Sequence, residues 1–214
     1  MTQGALWTPS GAEQEAAPAR VSILTVLQPI AAAMTTPDYG FPQFGDDGGF
    51  VPRKPIENRR WRPRKVPAGG LLVAVRAGAK WWNPIGKPTA QPSAEGLAWV
   101  RERWPEMPDP DDLPTSAVVG VVRVRLAARL HRFVDGGIAA VEPLPGDGPT
   151  ECVWLNQVER SPWVLGPIAW VVDRAWALPE PFPWRPGGLS LEVAPPEIAA
   201  LCLATGATLA AGAR

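Results

Sequence analysis

The sequence predicts a mixed α+β domain, a small β-barrel with short helices at its side. Three observations point there. The apolar runs are short and rich in β-branched residues, as in Val21–Leu27, Leu71–Val75, Ala117–Leu126 and Pro167–Leu178. Proline (27 of 214 residues) and glycine (21) interrupt the chain too often for long helices. Only three windows carry helix-start chemistry, at Pro29, Ser93 and Pro195-Pro196-Glu197.

Residues 1–20 have no apolar period and are expected to form a flexible tail. Val21–Leu27 reads as a buried strand, ended by Gln28-Pro29. Pro29 suits the first turn of a short helix through Met34. Thr35–Pro52 holds four prolines or glycines in its first eleven residues and reads as a loop. Its aromatics, Tyr39, Phe41, Phe44 and Phe50, should pack down, either as a lid or as a cover for the barrel. Ile56–Trp61 reads as a strand. By period two it points Glu57, Arg59 and Trp61 to one side and Ile56, Asn58 and Arg60 to the other.

Pro67–Gly70 is a turn and Leu71–Val75 the next strand. Gly78–Pro92 reads as a loop carrying Trp81 and Trp82, which are expected as core or loop anchors. Ser93 caps a helix to about Trp104, with Arg101, Glu102 and Arg103 toward water. A proline-rich acidic connector follows. Ala117–Leu126 is the clearest strand, with one side apolar throughout and the other turning polar at Arg123 and Arg125. Residues 127–150 begin basic and end in a Gly/Pro loop, and Cys152–Gln157 is undecided by periodicity. Pro167–Leu178 is a long strand, Pro179–Gly188 a turn, Leu189–Val193 a last strand. Pro195–Leu203 is a helix, with Pro and Glu where the helix dipole favours them. The domain is expected over 21–194, with 195–214 a C-terminal helix and tail.

Composition excludes several functions. Formal net charge is zero, which argues against non-specific coating of nucleic acid but allows one local basic site. Cys152 and Cys202 form neither a disulfide framework nor a zinc site. His131 is the only histidine, so no metal and no cofactor is expected. The eleven tryptophans are expected mostly in the core. A secretory leader pattern and a spanning run are both lacking, so the expected location is the cytoplasm, with no membrane partner.

The stretch Arg53–Lys65 stands apart, with seven basic residues among thirteen and the single carboxylate Glu57. Lys54 supplies a point charge, Glu57 an acceptor, Arg59 a planar donor fork and Trp61 a stacking surface. Those groups suit a nucleobase and its phosphate. A plain surface ion pair between Glu57 and Arg59 is the competing reading.

The chain resembles ASCH domains, of the PUA-like superfamily. The resemblance rests on Leu27-Gln28-Pro29 with its short helix, then Lys54-Pro55-Ile56-Glu57-Asn58-Arg59 against the family's Gly-x-Lys-x-x-Glu-x-Arg. The Ile-Glu-Asn-Arg-x-Trp variant is present at Ile56–Trp61. Gly70–Val75, Val118–Val122 and Pro167–Leu178 with Gly187-Gly188-Leu189 resemble later family strands, so the likeness spans about residues 21–194. The chain departs from the pattern in having Pro52 at the motif glycine, eighteen residues between helix and motif, and Ser190 where a Trp is common.

The resemblance implies a PUA-like barrel with a cleft lined by the motif, recognising RNA or a modified nucleobase, with single-stranded DNA as a related partner. Gln28, Lys54, Glu57, Asn58, Arg59 and Trp61 are then the ligand-binding candidates. Arg60, Arg62, Arg64 and Lys65 are the phosphate-contact candidates. The alternative it raises is hydrolysis of RNA or of a modified nucleoside, with Lys54 as acid and Glu57 as base. Ribonuclease activity stands ahead of acylcytidine amidohydrolysis, because the amidohydrolases place a nucleophilic Thr three residues after the motif Lys, where this chain has Glu57. A protein-interaction module is a further alternative.

Overall fold

Short β-branched runs cannot bury their apolar faces alone, and lateral pairing into one curled sheet satisfies both their side chains and their backbone. The computed structural model describes residues 20–38, 48–61, 63, 66–83, 86–132, 138–144, 161–184 and 190–207. Their elements run β1 (Val21–Gln28), α1 (Ile30–Met34), β2 (Ile56–Arg59), β3 (Leu71–Trp81), α2 (Ala94–Arg103), a 3₁₀ turn (Pro110–Asp112), β4 (Ala117–Arg132), β5 (Ile138–Pro143), β6 (Ile168–Pro183), β7 (Glu192–Val193) and α3 (Pro196–Leu203). The strands form one sheet in the order β2-β6-β4-β3-β1-β7, with β5 beside β4. Only β1 and β3 pair in parallel among these strands. The class is mixed α+β, a curled half-barrel with few short helices.

Both faces of the sheet are covered, which is why its strands read as nearly continuous apolar runs. On the inner face Val26, Val73, Val75, Val122, Val124 and Trp170 pack with Met34 of α1 and Val100 and Trp104 of the α2 end. On the other, Val21, Ile23, Leu72, Ala74, Val121 and Trp176 pack against Ile198 and Cys202 of α3. Burial pushes the Cys202 thiol up to about 12, so it is an inert core residue. Phe50 is also core, bridged through its backbone to Ala175. Tyr39, Phe41 and Phe44, and Cys152–Gln157, lie outside the described residues.

Several boundaries differ from the sequence reading. β3 runs on to Trp81 through Arg76–Lys80, where a loop beginning at Gly78 is expected. β1 pairs in parallel with Ala77 and again with Trp81 on either side of a register shift, and this carries the strand across Gly78–Lys80 despite the weak strand propensity of Ala and Gly. β4 continues six residues past Leu126, and β5 returns beside it as a hairpin partner in a segment expected to be loop. β6 continues through Pro179, Pro181 and Pro183, expected as a turn. Being two apart, these prolines place their missing donors on one side of the strand, while Phe182 and Trp184 face β4 and Ser116 on the other. The last strand shortens to Glu192–Val193, and β2 ends before Trp61.

The turn before β3 needs its glycine. Gly70 has φ +92 and donates to Pro67 O at 2.8 Å. A Cβ there would meet Arg123 Cγ at 2.9 Å and Val124 O at 3.1 Å.

Candidate functional site

A cavity of about 750 Å³ opens between β1, β2, the α2 helix and the loop that enters β6. That size is ordinary for a small-molecule or single-nucleotide site. Lys54, Glu57, Asn58, Arg59, Arg60 and Trp61 all contribute to its wall. Facing them are Thr25, Val26 and Leu27 of β1, Ile30 of α1, Trp82 just after β3, Pro88, Trp99 of α2, and Leu165–Pro167.

Lys54 is placed by backbone bonds. Its N–H donates to Ala33 O at 3.0 Å, and Arg53 N–H donates to Thr36 O at 2.9 Å, so the segment is stitched to the end of α1. β2 then pairs with β6, setting Glu57 opposite Trp170 and Arg59 opposite Ile168. Period two puts Glu57 and Arg59 on one side, where Lys54 meets them. Lys54 Nζ donates to Ile56 O and to Glu57 Oε2, the latter at 3.0 Å. Arg59 Nη2 contacts Glu57 Oε1 at 2.9 Å and donates to Thr25 O at 3.1 Å.

This is a buried network rather than a surface ion pair. Lys54 is 2% exposed and Glu57 5%. Burial pulls the Lys54 pKa down, and the Glu57 carboxylate only partly restores it. Burial would raise Glu57, but Lys54 and Arg59 outweigh it and hold its carboxyl below the ordinary value. Glu57 therefore stays ionised with both oxygens engaged.

Asn58 lines the cavity, but its amide is spent on the opposite wall. Oδ1 accepts from Leu165 N at 2.8 Å and Gly166 N at 3.0 Å, and Nδ2 donates to Trp163 O at 2.7 Å. Gly166 lets that loop approach, since a Cβ there would lie 3.0 Å from Asn58 Cβ. Asn58→Ala is expected to cost about 1–3 kcal/mol, the loss of two partly buried hydrogen bonds and one exposed one. Proteolysis of the folded variant should show earlier cutting within 161–167 than in the parent chain.

Gln28 is not brought into the cavity. It is fully buried, donates through Nε2 to Pro114 O at 2.6 Å, and accepts from Ala32 N at 3.2 Å. Its backbone carbonyl instead fixes a wall residue, accepting from Trp82 N at 2.7 Å. Arg60 is exposed at the rim, and Arg62, Arg64 and Lys65 lie outside the described residues. His131 is exposed beside Glu142, 2.9 Å away, and does not line the cavity. Among the described residues no cluster of metal-ligating side chains occurs, and no helix is long and apolar enough to cross a membrane.

The aromatic walls come largely from residues that the sequence reading gave other roles. Trp81 is buried core, but Trp82 faces the cavity and lies 4.6 Å from Trp99, tilted by 52°. Trp99 in turn meets the buried Trp163 edge-on at 5.6 Å. Arg103, expected in water, stacks on Trp99 with 3.7 Å between guanidinium carbon and ring centroid. The Trp99–Arg103 spacing of four residues is the one signal in the sequence that announced this pair. Trp61, on the other wall, packs edge-on against Trp170 at 5.1 Å and keeps 36% of its surface exposed.

The arrangement is a concave site with three indole rings, two cations tied to one carboxylate, and at the rim the exposed Arg60, which has no ion-pair partner among the described residues. It can hold a flat aromatic group by stacking and neutralise an adjacent anion. The chain matches no family model. No curated protein matches it either.

Proposed function

We propose that this chain is a nucleic-acid-binding module of the ASCH type, on a PUA-like barrel. In this reading it holds an unpaired base of RNA, or a modified nucleobase, in the cavity beside the Lys-x-x-Glu-x-Arg motif. One observation carries the proposal: Trp61, Trp82 and Trp99 line the same cavity as Lys54, Glu57 and Arg59. Base–aromatic stacking supplies affinity, and Arg60 at the rim meets the phosphate. The expected setting is the cytoplasm, and single-stranded DNA is a weaker partner of the same kind.

Glu57 favours binding over hydrolysis. A general base needs a free oxygen within reach of the proton it takes. Lys54 occupies one oxygen of Glu57 and Arg59 the other.

Titration of the purified chain with short single-stranded RNAs at low salt tests the reading, with a blunt duplex as comparison. The single strands should bind and the duplex should not. Trp82→Ala should weaken RNA binding by roughly 5- to 150-fold, equivalent to the ~1–3 kcal/mol of one stacked base. Unchanged affinity in that variant sinks the site assignment. Cleavage of labelled RNA that disappears in Glu57→Gln replaces the binding reading with the nuclease one.

A further inference from the structure

Aromatic cages that capture cations leave their ring faces open and supply a free carboxylate. In this cavity one of the three rings, Trp99, is already covered on a face by a guanidinium, and the Glu57 carboxylate is already paired. The guanidinium of Arg103 already sits 3.7 Å over Trp99. It is fixed there, with Nε donating to Pro162 O at 3.0 Å and Nη1 to Trp99 O and to the exposed Glu102 Oε2, each at 2.9 Å. A second guanidinium, from Arg59, lies 5.9 Å from the Trp61 ring. Among the described residues the charged wall residues are three cations, Lys54, Arg59 and Arg60, against one carboxylate. That carboxylate is neutralised inside the network.

A cation entering this space meets one ring, Trp99, whose quadrupole is already engaged by a guanidinium, and a charged lining that is positive in sum among the described residues. A neutral heterocycle stacks without that opposition, and an anionic group gains from it. We propose that the cavity takes neutral or anionic planar heterocycles and rejects cationic ones, with Arg103 as a positioning residue that sets this preference through Trp99. The inference rests on the nucleobase reading and deepens it by naming the charge class of base accepted. It sets the site apart from pockets that read positively charged methylated bases.

Three mononucleotides of similar shape test it on the full chain by calorimetry: guanosine 5′-monophosphate, its neutral N2-methyl derivative, and the cationic 7-methylguanosine 5′-monophosphate. The cationic base should bind on the order of tenfold weaker than both neutral ones, the size of one lost or opposed cation–π contact. Arg103→Gln should narrow that ratio, while Arg103→Lys, which keeps a cation over the ring, should hold it. Equal or tighter binding of the cationic base overturns the proposal. A ratio unchanged in Arg103→Gln removes Arg103 from it. If single-stranded RNA binds but no mononucleotide does, the base is not read in this cavity and the inference fails while the nucleic-acid reading stands. If neither binds, both fall.

Discussion

Glu57→Leu is expected to destabilise the fold by about 3–5 kcal/mol, because it leaves Lys54 buried beside an uncompensated charge. Lys54 is only 2% exposed, and its remaining partner is the Ile56 carbonyl. Lys54→Met should cost a similar amount for the converse reason, softened by Arg59, which still contacts Glu57 Oε1 at 2.9 Å. The Lys54→Met/Glu57→Leu double variant should recover part of the loss, since apolar groups replace the Lys54–Glu57 pair at little net cost while Arg59, still donating to Thr25 O, loses its carboxylate. Urea denaturation of the four proteins measures this as shifts in midpoint at constant slope. Additive losses in the double variant refute the buried-pair account. The same residue sets an acid dependence. Its folded pKa lies below the ordinary 4.5, so its stabilisation is complete above that value and fades as pH falls through the folded pKa. The gap in stability between the parent chain and Glu57→Gln should therefore close below about pH 4.5. Lys54 works at the other extreme. Its folded pKa is lowered, so the unfolded chain holds the extra proton at high pH and stability gains there as pH rises.

The motif triplet was legible because its spacing is local. Lys54, Glu57 and Arg59 lie within six residues, and strand periodicity alone turns the last two to one side. The opposite wall was not legible in the same way. Trp82, Trp99 and Leu165 reach the cavity through the pairing of β3 with β1, the docking of α2, and the three bonds from Asn58, all contacts between distant segments. No local pattern states which of eleven tryptophans faces a cavity and which a core. Gln28 failed as a wall residue for a related reason. Its position at the strand-to-helix turn was readable, but its partner, the Pro114 carbonyl, is 86 residues away. The strand extensions were hidden for a third reason. Ala, Gly and Pro carry poor strand propensity, and only neighbours already in register make them strand.

Asp173→Ala should also cost about 3–5 kcal/mol, and it separates fold from site. Arg123 and Arg125 looked like the solvent-turned end of a strand, yet both are buried. Arg123 grips Asp173 with two bonds, Nε to Oδ1 at 2.8 Å and Nη2 to Oδ2 at 2.9 Å. Arg125 donates to Ala68 O at 2.6 Å, pinning the turn before β3. A bidentate pair between β4 and β6 is sensitive to a shift of one residue in their pairing, so it helps fix the register that positions β2 on the far side of β6. Removing the carboxylate leaves the Arg123 guanidinium short of its bidentate partner in a site 8% exposed. Denaturation should show the loss, and Asp173→Asn, which keeps one acceptor, should show a smaller one. Below its melting range Asp173→Ala should still bind RNA like the parent, because neither Asp173 nor Arg123 lines the cavity. Glu57→Leu, by contrast, should lose stability and binding together. A folded Asp173→Ala protein that no longer binds would mean that the cavity depends on exact strand register, with the motif residues only one part of what shapes it.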